Sequence, residues 1–234
     1  MSEQLPPPAA DAATLVIGIF GGTGDQGRGL AARFTAAGNP VIIGSRSPGR
    51  AAAAAASCAA AAAAFGAGVP VRGMTNAEAA RAADVVIVAV PWEGHRDLLT
   101  SLAAPLAGKI VIDCVNPLGF DERGAYPLPV AEGSAAQQAA ALLPDSTVVG
   151  AFHHISSVLL LDPEVTDLGQ DVLVLGDHRA ATDLVQALAA RIPGVRGVYG
   201  GRLRNCGQIE ALTANLVSIN RRYKAHAGLR ITDI

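Results

Sequence analysis

Six residues after the first apolar run have the type and spacing for chemistry. Gly22-Thr23-Gly24-Asp25-Gln26-Gly27 reads G-x-G-x-x-G, with Gly21 before it and Gly29 after it. A structural glycine turn can read the same way. Here, however, a β-branched apolar run comes directly before the glycines and a helical stretch directly after them. In that setting the first glycine allows a tight turn. Gly24 lets a pyrophosphate approach the backbone, and Gly27 lets the helix pack close to the sheet. The helix N-terminus then offers free N–H groups and the positive end of its dipole to an anion. About 20 residues further on, an acid would bind a ribose hydroxyl and mark NAD. This chain has Gly44-Ser45-Arg46-Ser47 and then Arg50, with no acid between Gln26 and Glu78. Hydroxyls and guanidinium groups suit a 2′-phosphate, so Ser45, Arg46 and Arg50 favour NADP(H).

The elements that must hold these residues alternate along the chain. Apolar runs at residues 14–20, 41–44, 84–90, 109–115 and 147–152 read as strands, the longer ones without polar alternation. Such runs suit parallel strands buried on both faces. Helical stretches lie between them, including an alanine-dominated one at residues 50–64 and a capping box at Thr75-Asn-Ala-Glu78. The fold class expected is α/β: a Rossmann-type doubly wound parallel sheet with a smaller C-terminal α/β domain. The expected division is a flexible tail over 1–13, an NADP-binding domain over 14–150 and a small domain over 151–234. Residues 118–133 read as a loose connection, and a C-terminal helical region starts at Asn205.

In an open α/β sheet, ligands lie beyond the carboxyl ends of the strands. Those ends carry Val90-Pro91-Trp92, Asn116-Pro117 and the stretch Phe152-His153-His154-Ile155. Val90, Pro91 and Trp92 could wall a nicotinamide, although ordinary packing explains Trp92 equally well. No Ser/His/Asp order, carboxylate pair, metal-ligand spacing or Y-x-x-x-K is present. No metal and no obligatory general acid or base is therefore expected, with His153 the nearby candidate. A hydride passing between two cofactor rings needs mainly stacking, orientation and exclusion of water.

Composition narrows the classes further. The chain has 234 residues, half of them apolar, and a net charge of −2, which gives no global basic field for nucleic acid. Aromatics make up 4%, too few for base-stacking platforms. No apolar run reaches the roughly 18 residues of a membrane span. The start of the chain lacks the basic and apolar segments of a signal peptide, so a cytoplasmic protein is expected. Three widely spaced cysteines argue against a disulfide framework.

Residues 21–29, 44–47, 90–92, Asn205 and the run 219–231 together resemble the NADPH-dependent reductases of coenzyme F420. The resemblance extends from about Leu15 to the C-terminus. It implies a cytoplasmic homodimer that moves a hydride reversibly between NADP(H) and the deazaflavin F420. It also implies that Thr23, Ser45, Arg46 and Arg50 hold the adenosine-phosphate end of NADP. His153, Ile155, Asn205, Cys206 and Ile209 match positions near the deazaflavin. This chain has Arg204 and Cys206 where some relatives carry small hydroxyl residues. The alternatives are an imine or ketone reductase and a non-catalytic NADP(H) sensor. The reductases of that first kind carry a larger helical substrate domain than the last 85 or so residues can supply. After residue 190 the chain has eight basic residues, against Glu210 and Asp233 as the only acids. Arg204 is the expected candidate among them to grip the phosphate and glutamate tail of F420.

Overall fold

The computed structural model describes residues 11–66 and 69–234. Most of the tail expected over 1–13 lies outside them. Within it, Ala12 is buried, and its carbonyl accepts from Asn39 Nδ2 at 2.8 Å.

Among the described residues, ten strands form in chain order. β1 (Ile17–Phe20), β2 (Val41–Ser45), β3 (Val71–Thr75), β4 (Val85–Val88), β5 (Ile110–Asp113) and β8 (Thr147–Gly150) are parallel. β9 (Gln170–Gly176) pairs antiparallel with β8, and β10 (Val195–Gly201) pairs parallel with β9. One eight-stranded sheet results, in the order β10-β9-β8-β5-β4-β1-β2-β3. Residue 150, the expected domain boundary, ends β8, and the sheet continues beyond it into β9. β6 (Leu118–Asp121) and β7 (Gly124–Pro127) make a separate antiparallel hairpin in the stretch expected to be loose.

The centre of the sheet is covered on both faces, which is why β1, β4 and β5 are buried along their whole length. Val85 and Ile87 enter one buried layer, while Val86 and Val88 enter the other. The first layer includes α1 (Asp25–Ala36) and α2 (Pro48–Ala63). The second includes α3 (Asn76–Ala82), α4 (His95–Leu106) and α5 (Ala135–Leu142). The alanines of α2 have a packing role. A Cβ on Gly73 would lie 2.3 Å from the Ala51 carbonyl oxygen, so helix and edge strand touch backbone to backbone. The capping box forms as expected, with both reciprocal bonds between Thr75 and Glu78.

After the short α6 (Ser157–Leu161), α7 (Arg179–Ala189) joins β9 to β10, and α8 (Cys206–Tyr223) crosses back over the strand ends. Arg33, buried in α1, caps the turn around α6 with guanidinium bonds to the carbonyls of Leu159, Leu160, Asp162 and Val165. The residues after α8 return along β9. Asp171, fully buried, accepts two bonds of 2.7 Å from Arg196 and one of 2.6 Å from the Ile231 amide. The Asp171 amide donates to Leu229 O, and Arg196 also donates to the carbonyls of Ile231 and Ile234. The Arg196 hydrogen bonds hold the Asp171 carboxyl down at about 2.

Candidate active site

The sheet's switch point lies between β1 and β4, and the glycine loop opens there. Gly21 has φ +92°, and a Cβ on it would lie 2.3 Å from the Ala89 carbonyl oxygen after β4. The tight turn expected at Gly22 therefore falls at Gly21. Gly22 instead makes room for Ile43, whose methyl group would be 2.7 Å from an added Cβ. Gly27 packs against the loop itself, 2.6 Å from Gly21 O by the same measure. Gly24 has open space, with nothing nearer than 3.6 Å to an added Cβ, and it is the N-cap of α1. No side chain caps this helix, and the Asp25 carboxylate pairs with Arg28 at 2.9 Å. The first-turn N–H groups are thus left for a ligand anion. Thr23 and Asp25 are exposed beside them.

At the end of β2, Ser45 is half-buried, while Arg46 and Arg50 are exposed. Among the described residues neither guanidinium has an ion-pair partner. Two such cations, one just past β2 and one in the first turn of α2, fit the 2′-phosphate expected from the sequence.

A cleft of about 410 Å³ lies beyond the strand ends. It brings together Gln26, Val90, Pro91, Trp92, Asn116, His153 and Ile155 from the sequence-derived set. Pro117 is buried behind Asn116, and its carbonyl accepts from the Leu128 amide. Arg204, Asn205, Cys206 and Ile209 do not line this cleft. Cys206 is fully buried against Gly150, where an added Cβ would meet its Sγ at 2.5 Å. Burial raises the Cys206 thiol well above its ordinary range. Arg204 is exposed on the turn before α8.

The sequence reading missed the far wall. Thr213, Leu216, Val217 and Asn220 of α8, with His226 beyond it, complete the cleft. Their i, i+3, i+4, i+7 spacing was a usable signal for one helix face.

The floor of the cleft is strained and clamped. Phe152, fully buried, has φ +63°, an uncommon conformation for a bulky residue. Its carbonyl accepts from Gln26 Nε2 at 3.1 Å. The next carbonyl, that of His153, accepts from Asn116 Nδ2 at 2.7 Å and Thr213 Oγ1 at 3.2 Å. Three elements therefore fix two consecutive peptide groups. The His153 imidazole has no exposed side-chain surface.

Behind the floor lies a buried ionisable cluster. His95 Nε2 sits 2.6 Å from Asp113 Oδ2, both side chains fully buried, and its Nδ1 sits 3.0 Å from Gln138 Oε1. Burial is the largest single influence and opposes protonation of His95, but the hydrogen bond and charge of Asp113, with Gln138 and Glu210, together outweigh it and raise its pKa. Burial pushes His153 and His154 each down to about 4. Glu210 accepts from the amides of Ala135 and Ala136 at the start of α5, and its Oε1 is 3.9 Å from His153 Nε2. Burial pushes the Glu210 carboxyl up to about 7, against those two amide bonds. Among the described residues, no group of His, Cys, Asp and Glu side chains could hold a metal ion, and no helix is long and apolar enough to cross a membrane.

Known proteins share both the sequence and the architecture. Residues 16–117 match the family described as NADP oxidoreductase, coenzyme F420-dependent. The F420-dependent NADP reductase of Methanothermobacter marburgensis is 40% identical over 224 residues, covering 93% of this chain and 98% of that protein. The crystal structure of a putative F420-dependent NADP reductase from Arthrobacter sp. FB24 superposes with a TM-score of 0.79. It is 25% identical and covers 94% of this chain and all of that one. An imine reductase of Streptomyces aurantiacus, 22% identical with a TM-score of 0.55, shares the fold, and this chain spans 62% of its length. Identity sustained across nearly the whole of both chains, together with the nucleotide loop, places this chain in the family of F420-dependent NADP reductases.

Proposed function

We propose that this chain transfers a hydride directly and reversibly between NADP(H) and coenzyme F420. One observation carries this reading. A single cleft at the switch point is walled on one side by the nucleotide loop's Gln26 and by Trp92, and on the other by α8. The bound pair supplies a hydride donor at the nicotinamide and an acceptor carbon on the deazaflavin. The protein's own part is to seat the anionic nucleotide, hold the floor rigid and keep water out. We assign nucleotide binding to residues 14–150 and the deazaflavin wall to residues 151–234. His153 is assigned to the floor rather than to proton transfer. Its ring is buried, and at neutral pH it is uncharged.

The family resemblance further supports a cytoplasmic homodimer, which sedimentation of the purified protein tests. The activity is tested by mixing the protein with NADPH and F420 and following the visible deazaflavin band. Bleaching, with initial rates that require both substrates bound together, is the expected result. Binding of NADPH without bleaching would overturn the reading in favour of a nucleotide sensor. Ping-pong kinetics would overturn direct transfer.

A further inference from the structure

Several of the C-terminal cations are engaged within the fold. Arg191 donates to the Ala37 carbonyl, Arg196 grips Asp171, and Arg202 donates to the Asp177 carbonyl at 2.9 Å. Arg221 and Arg222 are different. They occupy the last turn of α8, are exposed, and line a groove of about 620 Å³. The opposite wall is the β6–β7 turn, which contributes Arg123. Among the described residues, none of these three guanidinium groups has an ion-pair partner. The carboxylate in the groove, Asp121, already accepts from the backbone amides of Arg123 and Gly124.

Position gives this groove its meaning. Val217 lines both the groove and the ring cleft, so the last two turns of α8 form a wall common to the two. A ligand whose ring lies in the cleft can extend past Val217 and reach the three arginines. Guanidinium forks match the paired oxygens of phosphates and carboxylates. Three guanidinium groups around the one Asp121 carboxylate leave the groove net positive, so an anion seated among them relieves the remaining repulsion.

We propose that the groove between Arg123 and the Arg221–Arg222 pair binds the anionic side chain of the deazaflavin, its phosphate and glutamate carboxylates. This rests on the reading that the cleft holds the deazaflavin ring, and it moves tail recognition from Arg204 to the end of α8. The anchoring favours the long-tailed coenzyme over its ring-only precursor, and added salt weakens it.

The test compares F420 with a tail-less deazaflavin that carries neither phosphate nor glutamate. The proteins compared are the wild type, Arg123→Ala and the double variant Arg221→Ala/Arg222→Ala. The wild type should bind the tailed substrate more tightly, and the double variant should reduce that preference about 10-fold or more. Arg123→Ala should reduce it in the same direction by less. Equal KM values for the two substrates in the wild type would overturn the proposal. So would equal losses for both substrates in the variants. Sedimentation is measured alongside, and a variant that dissociates would assign the arginines to contact between copies, which also overturns it. If the wild type bleaches neither deazaflavin, the reading of the cleft has failed, a result distinct from loss of tail preference alone.

Discussion

The two walls of the ring cleft are built from different materials. On the nucleotide side the contacts are made by backbone. Gly21 nearly touches the Ala89 carbonyl, Gly27 packs on Gly21, and α1 presents amides that no side chain caps. On the C-terminal side and across the floor the contacts are made by side chains. Thr213 of α8, with Asn116 and Gln26 reaching in from the nucleotide side, clamps two carbonyls over a buried layer of His95, Asp113, His153 and Glu210. A backbone-built wall accepts almost no substitution and is insensitive to pH. A wall built from side chains can be altered group by group and has protons to gain or lose.

The sharpest way to break this contrast is Gly21→Ala. The new Cβ meets a carbonyl at 2.3 Å on a backbone with φ +92°. Overpacking and left-handed strain together cost about 2–5 kcal/mol. A large fall in Tm and loss of NADPH binding are expected. Gly24→Ala is the control, since its Cβ meets nothing in the protein closer than 3.6 Å. It should weaken NADPH while leaving Tm nearly unchanged. Equal Tm losses for the two variants would show that the loop's glycines serve packing alone.

The next effect belongs to the other wall. Glu210 titrates at about 7 in the folded protein, above its unfolded value near 4.3. Its contribution to stability is therefore fully present below pH about 4.3 and is lost as pH rises through 7. The full span corresponds to ~4 kcal/mol. Glu210→Gln removes this titration, so the variant's Tm should gain on the wild type between pH 5 and 8. His153 and His154 act in the opposite direction. Their folded pKa values of about 4 make stability fall as pH drops from 6.5 towards 4, in both proteins alike. Parallel Tm profiles for the two proteins would show that Glu210 does not titrate in this range.

Arg46→Ala comes third. A hydrogen bond to a charged group contributes about 1.5–3 kcal/mol, so NADPH should bind about 10- to 100-fold more weakly, with NADH little changed. An unchanged NADPH/NADH ratio would remove Arg46 from the 2′-phosphate site. The smallest effect is expected for Thr213→Val, which deletes one bond to the His153 carbonyl. A loss of about 1 kcal/mol is expected, seen in kcat more than in NADPH affinity, and Thr213→Ser should restore it. A loss confined to NADPH affinity would place Thr213 against the nucleotide instead of under the rings.

The contrast also explains what could be read from the sequence. The glycine loop between β1 and α1, the end of β2 near Ser45, the buried strands and the Thr75–Glu78 cap depend on neighbours in the chain, and all were legible. β3 was not, because Val71-Arg72-Gly73-Met74-Thr75 forms a half-exposed sheet edge and lacks an apolar run. The β6–β7 hairpin was hidden among prolines and glycines. Thr213 and Asn116 meet at the His153 carbonyl from distant parts of the chain, and no local pattern records such a meeting. The tight turn was displaced by one residue because Gly21 and Gly22 are interchangeable as text. Only the approach of Ala89 distinguishes them.

The bonds from Asp171 and Arg196 to Leu229, Ile231 and Ile234 tie the last residues to β9 and β10 although Ile231 and Ile234 are exposed. Their amides should resist deuterium exchange, most of all that of Ile231, whose proton is given to a fully buried carboxylate. Trimming by a carboxypeptidase should stall there. An affinity tag fused after Ile234 would load the same bonds that tether the segment carrying His226 to the cleft.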